Sequence, residues 1–460
     1  MIFSYILLHK RYERGHDMVK SDLWQRQHDE YQRHGVQAWQ KNMVPWFLTS
    51  NTLIASHYVN IVDTFVEECI NNDIFDTTKP LTIVDLGAGA GRFAFLFLKE
   101  ILPRLKKHNV SIRYVMTDIS EENMSHVASH PLLKKYFDDG TAHTAFFNGN
   151  DADGAAEILL NESRENLSQE ALENPLVAIG GYFFDIIVND IFIIRDGTLY
   201  KRNIQYADGD LWPVVSEKIS YHDVPATQPY YSDGILDSIV EKYSTTYDNI
   251  AFGMPVGACN TIRRLNAMSK GHMLLLAADQ GIVTDEQMKQ CSDVKVSCHG
   301  SFSVPVNYNA IDKYITAIGG TFVAPNSPHS EFVSTMSLLT EGKPFPATEK
   351  AYRDTIVAND IYDYYLRGDK VSSMNDMLSL LDDGNGDTMT LYHLLQRIEH
   401  AAPSATDAEK QRLADHITRA TDNFFPLSSD DMAFFKIMEQ LLTTIGFNNK
   451  TFPSLSSLSI

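Results

Sequence analysis

The stretch that decides the fold is Ile83-Val84-Asp85-Leu86-Gly87-Ala88-Gly89-Ala90-Gly91. A short apolar strand ends there in Asp-x-Gly-x-Gly-x-Gly, and a helical pattern over Arg92–Leu105 follows at once. Glycine has no Cβ, so the chain can turn tightly and a ligand can approach the backbone closely. The start of the helix offers free backbone N–H groups to a carboxylate or a phosphate. The stretch therefore predicts a strand, a ligand-binding turn and a helix.

Short apolar runs and helical patterns alternate on both sides of this turn. Strands are predicted at 81–86, 112–116, 144–147, 176–179 and 273–277, and a helix at 121–136. Such alternation predicts a doubly wound, Rossmann-like α/β fold with a parallel sheet. Residues 197–260 interrupt the alternation with Gly and Pro, so they are predicted to form an inserted β-hairpin and loops.

Two classes of ligand compete for the glycine turn. A dinucleotide site requires Gly-x-Gly-x-x-Gly, but the last position counted from Gly87 is Arg92, so that pattern fails. A carboxylate at Asp85, just before the turn, would repel a pyrophosphate and attract an ammonium group. S-adenosylmethionine (SAM) carries such an ammonium group on its methionine part, together with a sulfonium. The turn therefore favours SAM over a nicotinamide cofactor.

Two further acids follow later strands. Asp118 ends the second strand, 27 positions after Gly91, where a carboxylate can accept both hydroxyls of a ribose. Asp151, with Ala152 beside it, follows the third strand and is predicted to accept a hydrogen bond from an adenine amino group. Any one of these acids alone would be interpreted as a solvated loop residue. Together with Asp85 and the glycine turn, they favour a SAM site.

With these acids in this order, the chain resembles the class I SAM-dependent methyltransferases over about residues 80–190. The resemblance implies a seven-stranded methyltransferase sheet and a transferase that uses SAM (EC 2.1.1.-). It also implies that the glycine turn holds the methionine end, Asp118 the ribose and Asp151 the adenine. The cofactor-binding residues expected are Asp85, Gly87, Ala88, Gly89, Gly91, Asp118, Ile119, Asp151 and Ala152, and no metal site is expected.

Segments further along the chain resemble a narrower group, the MidA-like methyltransferases, which include the mitochondrial complex I assembly arginine methyltransferases. The run 181–185 (Gly-Tyr-Phe-Phe-Asp) is similar to that group's Asn-Glu-Phe-Phe-Asp-Ala motif, and 278–281 and 301–307 match its later motifs in part. These matches extend the similarity to about 80–325. Tyr182 stands where the group has Glu. A buried carboxylate is what would orient a guanidinium and help to deprotonate it, so this departure argues against arginine as the acceptor.

Tyr182 and Asp185 are the candidate catalytic residues. Asp279 and His299 are further candidates for a general base near the mouth of the pocket. The alternative role for Asp185 is to cap a following helix.

Helical patterns flank the sheet at both ends. Residues 20–75 are predicted to form a helical cap, which contains three of the four Trp residues, and 345–460 a C-terminal helical domain. The SAM-dependent methyltransferase domain then spans 76–340, and 1–19 is predicted to be a flexible extension. The segment 383–387 resembles the opening of a calcium loop. Thr388 and Leu394 stand where such a loop needs Gly and Glu, so a turn between two helices is predicted.

Composition limits the classes of function. The 460 residues carry 39 basic and 59 acidic side chains, a formal net charge of −20, which argues against general nucleic-acid binding because phosphate binding needs a basic face. No run of 18 apolar residues occurs, so no membrane span is predicted. The four cysteines form no Cys-x-x-Cys pair, which argues against a disulfide framework or a zinc ribbon. This cysteine usage fits a reducing cytosol or organelle matrix. A cytoplasmic location is expected, and the mitochondrial matrix is the weaker alternative.

Two functions remain open at this point. The first is a SAM-dependent methyltransferase that transfers a methyl group to a protein side chain or a small molecule by in-line displacement. The second is a SAM-fold scaffold or assembly factor that binds a protein partner through its helical terminal regions, above all the C-terminal helices. The intact turn and its acids favour the enzyme, since a scaffold has no need of them.

Overall fold

A seven-stranded sheet runs through the centre of the computed structural model, which describes residues 16–40, 46–206, 218–298, 301–326 and 328–447. Its strands are β1 Leu81–Leu86, β2 Ile112–Asp118, β3 Ala142–Phe146, β4 Leu176–Gly181, β5 His272–Asp279, β6 Thr321–Val323 and β7 Val333–Thr340. They lie in the order β6-β7-β5-β4-β1-β2-β3, and β7 alone runs opposite to the other six strands. This order confirms the predicted α/β class and the seven-stranded sheet. The chain order reverses between β1 and β4, where α/β sheets open a crevice for ligands at the carboxyl ends of their strands.

Sixteen helices lie among the described residues. They are α1 Leu23–His34, α2 Gln37–Gln40, α3 Thr52–Asn71, α4 Arg92–Leu105, α5 Glu121–Ser129, α6 Pro131–Asp138, α7 Gly234–Thr246, α8 Val256–Met268, α9 Asp285–Gln290, α10 Tyr308–Ala317, α11 Pro346–Tyr352, α12 Ile361–Gly368, α13 Met374–Asp383, α14 Thr388–Ala401, α15 Asp407–Asp422 and α16 Ala433–Thr444. None of them is long and apolar enough to cross a bilayer.

Helices cover both faces of the sheet, which explains why every residue of β1 is buried. Successive side chains of a strand point to opposite faces. Ile83 packs in the core formed by α3, α4 and the C-terminal helices, and Val84 packs in the core formed by α7, α8 and α10. The sheet is therefore doubly wound, as predicted.

A second, antiparallel sheet occupies part of the region predicted as an insertion. Its central hairpin is formed by Asp190–Arg195 and Thr198–Tyr206. Ile219–Pro225 pairs with the second strand of the hairpin and Ala251–Met254 with the first. A hairpin was predicted within 197–260, but the first strand of the observed hairpin, Asp190–Arg195, lies before that segment. The sequence does not show this boundary, because an apolar run of this kind resembles a strand of the central sheet.

The single helix predicted at 121–136 is wrong, because the structure has two helices there. His130 is extended, with φ −64° and ψ 126°, and Pro131 begins α6. A residue that precedes proline is held away from the helical region, so the chain must break at His130.

The C-terminal region is helical over the part that the structure describes. The apolar patterns at 360–366, 374–381, 391–400 and 432–445 predict four helices, and α12, α13, α14 and α16 are found there. The sequence predicts Ser429 as the cap of the last helix, but Ser428 is the N-cap of the turn that precedes α16. The calcium-like segment joins α13 to α14, and Asp387 caps α14, as expected for a turn between helices. Residues 448–460 lie outside the described part, as do 1–15 at the other end.

Candidate functional site

The glycine turn after β1 has the geometry that its sequence predicts. Gly87, Gly89 and Gly91 have φ values of +67°, +54° and +82°, in the left-handed region that glycine adopts without strain. Gly91 stands immediately before α4. The N–H of Ala88 donates to the carbonyl oxygen of Thr117 at 2.8 Å, which ties the turn to the end of β2.

Asp118, the last residue of β2, joins the same turn from the other side. Its Oδ2 accepts hydrogen bonds from the N–H of Gly89 at 3.1 Å and from Nδ2 of Asn123 at 3.3 Å. Its Oδ1 accepts from the N–H of Ser120 at 2.8 Å. A carboxylate has about four lone-pair positions, so one remains for a ligand. Burial raises the pKa of Asp118, and these hydrogen bonds oppose that rise.

Asp85 faces away from this edge of the sheet. The hydroxyl of Tyr114 donates to its Oδ2 at 2.9 Å, and the side chain is buried on the same face as Ile83. Burial raises the pKa of Asp85 to about 7. The carboxyl group of Asp85 therefore lies within the core, where its hydrogen bond with Tyr114 joins β1 to β2.

A cavity of about 120 Å³ lies where β1, β2, β3 and β4 end. The predicted site residues that line it are Gly87, Ala88, Asp118, Ile119, Tyr182 and Asp185. The predicted site residues that do not line it are Asp85, Gly89, Gly91, Asp151 and Ala152. This cavity is called the switch-point cavity below.

The segment after β3 reaches the switch-point cavity through different residues from those predicted. Asn148, Gly149 and Asn150 line the cavity, whereas Asp151 and Ala152 are exposed. Arg264 of α8 fixes this segment, since its Nη1 donates to the carbonyl oxygens of Asn148 at 3.0 Å and Asp151 at 3.3 Å. Asp151, the residue predicted to contact the adenine, therefore lies outside the lining of the cavity.

Three tryptophans of the N-terminal segment form the outer wall of the switch-point cavity. Trp24, Trp39 and Trp46 all line it, although such residues more often join a cap to its neighbouring domain. Trp39 lies directly over the glycine turn, because a Cβ added at Gly89 would stand 2.5 Å from its ring. That contact explains why Gly89 itself is covered.

Asp185 is the most unusual group in the switch-point cavity. It is 5% exposed, and its Oδ1 is buried with no hydrogen-bond partner among the described residues. Asp279, at the end of β5, is fully buried beside it, and the N–H of Asp185 donates to Oδ1 of Asp279 at 3.3 Å. Burial and the negative charge of Asp279 hold the pKa of Asp185 well above its usual range. Asp185 precedes no helix in the structure, so its alternative role as a helix cap is wrong.

Asp279 is held in place by a second buried group. The hydroxyl of Tyr308 donates to its Oδ2 at 2.8 Å. Burial raises the pKa of Asp279 to about 6, and the hydrogen bond from Tyr308 limits that rise. Two carboxyl groups in contact resist simultaneous ionisation, so this arrangement favours one shared proton.

Two tyrosines complete the surroundings of the acid pair. Tyr182 has φ +52°, an uncommon value for a residue with a side chain, and its ring packs edge-on against Phe332 with centroids 5.9 Å apart. Tyr31 of α1 lines the cavity, and burial raises its pKa to about 12. Sequence reasoning missed Tyr31, because its place opposite Asp185 depends on the docking of α1. His299, the other candidate base, lies outside the described residues.

Comparison with known proteins gives partial structural likenesses alone. No family model and no curated protein matches the chain. An uncharacterized COG1565 superfamily protein from Burkholderia thailandensis is 10% identical, with a TM-score of 0.41, covering 73% of this chain and 96% of that one.

Two further solved structures from Burkholderia thailandensis are also similar in part. A COG1565 superfamily member described as a likely methyl transferase, bound to S-adenosyl-homocysteine, is 11% identical, with a TM-score of 0.38 and coverage of 75% and 90%. An O-methyltransferase family protein is 9% identical, with a TM-score of 0.27 and coverage of 69% and 71%. At these identities and scores the likenesses assign this chain to no family.

Proposed function

We propose that the protein is a SAM-dependent methyltransferase. The observation that carries the proposal is the hydrogen bond between the N–H of Gly89 and the carboxylate of Asp118. It joins a glycine turn to an acid at the next strand end, on the edge of the sheet where the switch-point cavity opens. That pairing suits a ligand that has an amino-acid end and a ribose.

The residues of the switch-point cavity fit such a ligand. The backbone of Gly87 and Ala88 borders the cavity, so an amino-acid end can approach it closely. Asp118 keeps one acceptor position for a ribose hydroxyl, and Ile119 beside it offers an apolar surface to a flat base. The volume of about 120 Å³ is below the roughly 300–1,000 Å³ of common small-molecule sites, so the ring of Trp39 must move off Gly89 when the ligand enters.

The proposed methyl transfer depends more on a correctly placed acceptor and a water-free site than on further activation of the methyl group. The sulfonium of SAM supplies a methyl group that is already activated for in-line displacement. The chain supplies the Trp-lined wall, which excludes water, and a proton acceptor. When the shared proton lies on Asp279 and the acceptor's N–H or O–H donates to Oδ1 of Asp185, the Asp185 carboxylate takes the acceptor's proton as the methyl group is transferred. The raised pKa of Asp185 makes it a stronger base than an ordinary aspartate.

Calorimetry with SAM and with NAD tests the cofactor. We expect SAM to bind and NAD to give no heat. Gly89→Arg should abolish SAM binding, because its side chain would occupy the place that the ring of Trp39 must leave for the ligand. A wild-type protein that binds no SAM at millimolar concentrations would contradict the proposal.

Asp118→Ala tests the ribose contact. We expect the binding free energy of SAM to become less favourable by about 1–3 kcal/mol, the scale of a lost buried hydrogen bond. The matched control is Asp153→Ala, an exposed residue outside the cavity, which should leave the affinity unchanged. Equal affinities in both variants would refute the ribose assignment.

Asp151→Ala decides where the adenine end lies. Weaker binding than in Asp153→Ala would support the contact predicted from the sequence. Unchanged binding would move the adenine end to the segment 148–150, which lines the cavity.

Asp185→Asn separates the enzyme from a scaffold. We expect wild-type protein to transfer labelled methyl groups from SAM into a cell lysate, and the variant to lose that transfer while it still binds SAM. A wild-type protein that binds SAM and labels nothing would favour the scaffold.

A further inference from the structure

A second cavity, of about 290 Å³, lies between the start of α4 and the C-terminal helices. Its walls include Trp46 before α3, Arg92 at the start of α4, Tyr392 of α14, Phe424 after α15, Asp430 before α16 and Phe434 within α16. It is called the Arg92 cavity below. Trp46 and Ser50 border both this cavity and the switch-point cavity, whereas the charged residues of the two cavities are different.

Arg92 brings a positive charge to this cavity without a carboxylate in contact. Its guanidinium lies 3.6 Å from the centre of the Trp46 ring, and one Nη donates to the carbonyl oxygen of Phe425 at 3.1 Å. Arg92 forms no ion pair with another described residue, although the nearby Asp431 and Asp387, which also line the cavity, favour its charge. Burial lowers its pKa to about 10, so it stays charged at neutral pH. A guanidinium has five N–H donors in a planar fork that matches a carboxylate. Most of these donors remain for a ligand.

Asp430 brings a negative charge to the same cavity. Its carboxylate has no hydrogen bond or ion pair within the described part of the chain, and the residue is exposed. The neighbouring Asp431 differs, because its Oδ2 accepts from the N–H groups of Leu427 and Ser428 and so stabilises the turn. Asp430 is therefore the acid that is available to a ligand.

Aromatic rings form the apolar part of the Arg92 cavity. Phe424 stacks on Phe434 with centroids 4.2 Å apart and an angle of 18°. Tyr392 is 51% exposed, a large value for a ring that borders a cavity. These rings offer faces and edges on which a further ring can stack.

We propose that the Arg92 cavity binds a free amino acid with an aromatic side chain. The carboxylate of the ligand pairs with the guanidinium of Arg92, its ammonium group pairs with Asp430, and its ring packs against Phe424 and Tyr392. A single amino acid suits the small volume, and a zwitterion offers a carboxylate to the free N–H groups of Arg92 and an ammonium group to Asp430. This site goes beyond the proposed methyl transfer and does not depend on it.

Calorimetry with three small molecules tests this site. L-phenylalanine carries both charges, 3-phenylpropionate lacks the ammonium group, and phenethylamine lacks the carboxylate. We expect L-phenylalanine to bind and each of the other two to bind at least tenfold more weakly. Equal binding of the three, or no binding of L-phenylalanine at 10 mM, would overturn the proposal.

Variants of the protein place the ligand within the cavity. Asp430→Asn should weaken the binding of L-phenylalanine at least tenfold and leave the binding of 3-phenylpropionate unchanged. Asp415→Asn, at an exposed position on α15, should change the binding of neither ligand. Arg92→Gln should abolish binding of L-phenylalanine. Because that variant also loses the contacts with Trp46 and Phe425, its unfolding is measured in parallel. If Arg92→Gln does not fold, the result for Asp430→Asn decides the test. L-phenylalanine that binds Asp430→Asn as it binds wild type would contradict the assignment. SAM binding, measured on the same samples, reports the switch-point cavity separately.

Discussion

Gly89 is constrained in two separate ways. Its φ of +54° disfavours any side chain, and the ring of Trp39 occupies the place where a Cβ would stand. Gly140 shares only the first constraint, with φ +78° and nothing within 4 Å of its Cβ position. We expect Gly140→Ala to cost about 1 kcal/mol of unfolding free energy and Gly89→Ala clearly more, measured by urea unfolding.

A second substitution isolates the contact with Trp39. In a Trp39→Ala background, Gly89→Ala should cost about as much as Gly140→Ala does, because the ring is gone. If Gly89→Ala and Gly140→Ala cost the same in the wild-type background, Trp39 does not rest on the turn.

Single residues show where sequence reasoning succeeds at this site. The glycine turn and Asp118 were predictable because a strand end, a turn and a helix start are local features. The direction of Asp85 was not, since its partner Tyr114 is 29 residues away on a neighbouring strand. The pairing of Asp185 with Asp279 joins residues 94 apart and depends on β4 lying beside β5. No local pattern carries that adjacency.

At the scale of elements, one carboxylate ties the first turn of α11 to α3. Glu68 of α3 accepts hydrogen bonds from the N–H groups of Ala347 and Thr348, at 2.9 and 2.7 Å, and from the hydroxyl of Thr348 at 2.6 Å. It thereby satisfies free N–H groups in the first turn of α11. We expect Glu68→Ala to lower the unfolding free energy by about 1–3 kcal/mol in urea titrations. Glu67→Ala, an exposed neighbour, is the matched control and should change it by less than about 0.5 kcal/mol.

Two elements of the C-terminal region were not predicted, and α15 shows why. Only Leu413 and Ile417 among its buried residues are large and apolar, so the apolar stripe is weak. The signal that would have found it is the capping box, in which Thr406 and Glu409 bond each other's backbone N–H groups. The other missed helix, α11, spans only seven residues, too few for a periodic pattern to be recognised.

At the scale of the whole molecule, His130 joins the sheet region to the C-terminal helices. Its ring stacks on Phe425 with centroids 3.9 Å apart, and its Nε2 lies 2.8 Å from the carbonyl oxygen of Pro426. Its Nδ1 accepts from the N–H of Leu132, so the neutral ring carries its proton on Nε2 and donates it to Pro426. Burial lowers the pKa of His130 to about 4, below the ordinary value of 6.5.

This shift predicts how stability depends on pH. Between pH 6.5 and 4 the unfolded chain binds a proton at His130 that the folded chain does not bind, so stability is lost as the pH falls through this range. We expect the unfolding free energy of His130→Gln to fall by roughly 1–2 kcal/mol less than that of wild type between pH 7 and pH 4.5, measured by urea unfolding. His400→Gln, an exposed histidine on α14, should follow the wild-type curve. A His130→Gln curve parallel to that of wild type would contradict the assignment.

The contact between α3 and α11 also has a consequence for biosynthesis. Phe65 of α3 packs on Phe345, just before α11, with ring centroids 5.3 Å apart, yet 274 residues lie between the end of α3 and the start of α11. At roughly 5–20 residues per second, a ribosome takes about 14–55 s to make that stretch. Throughout this interval the nascent chain carries an amphipathic helix whose apolar partner has not yet been synthesised. We expect molecular chaperones to bind the growing chain at α3 and to leave once α11 has emerged.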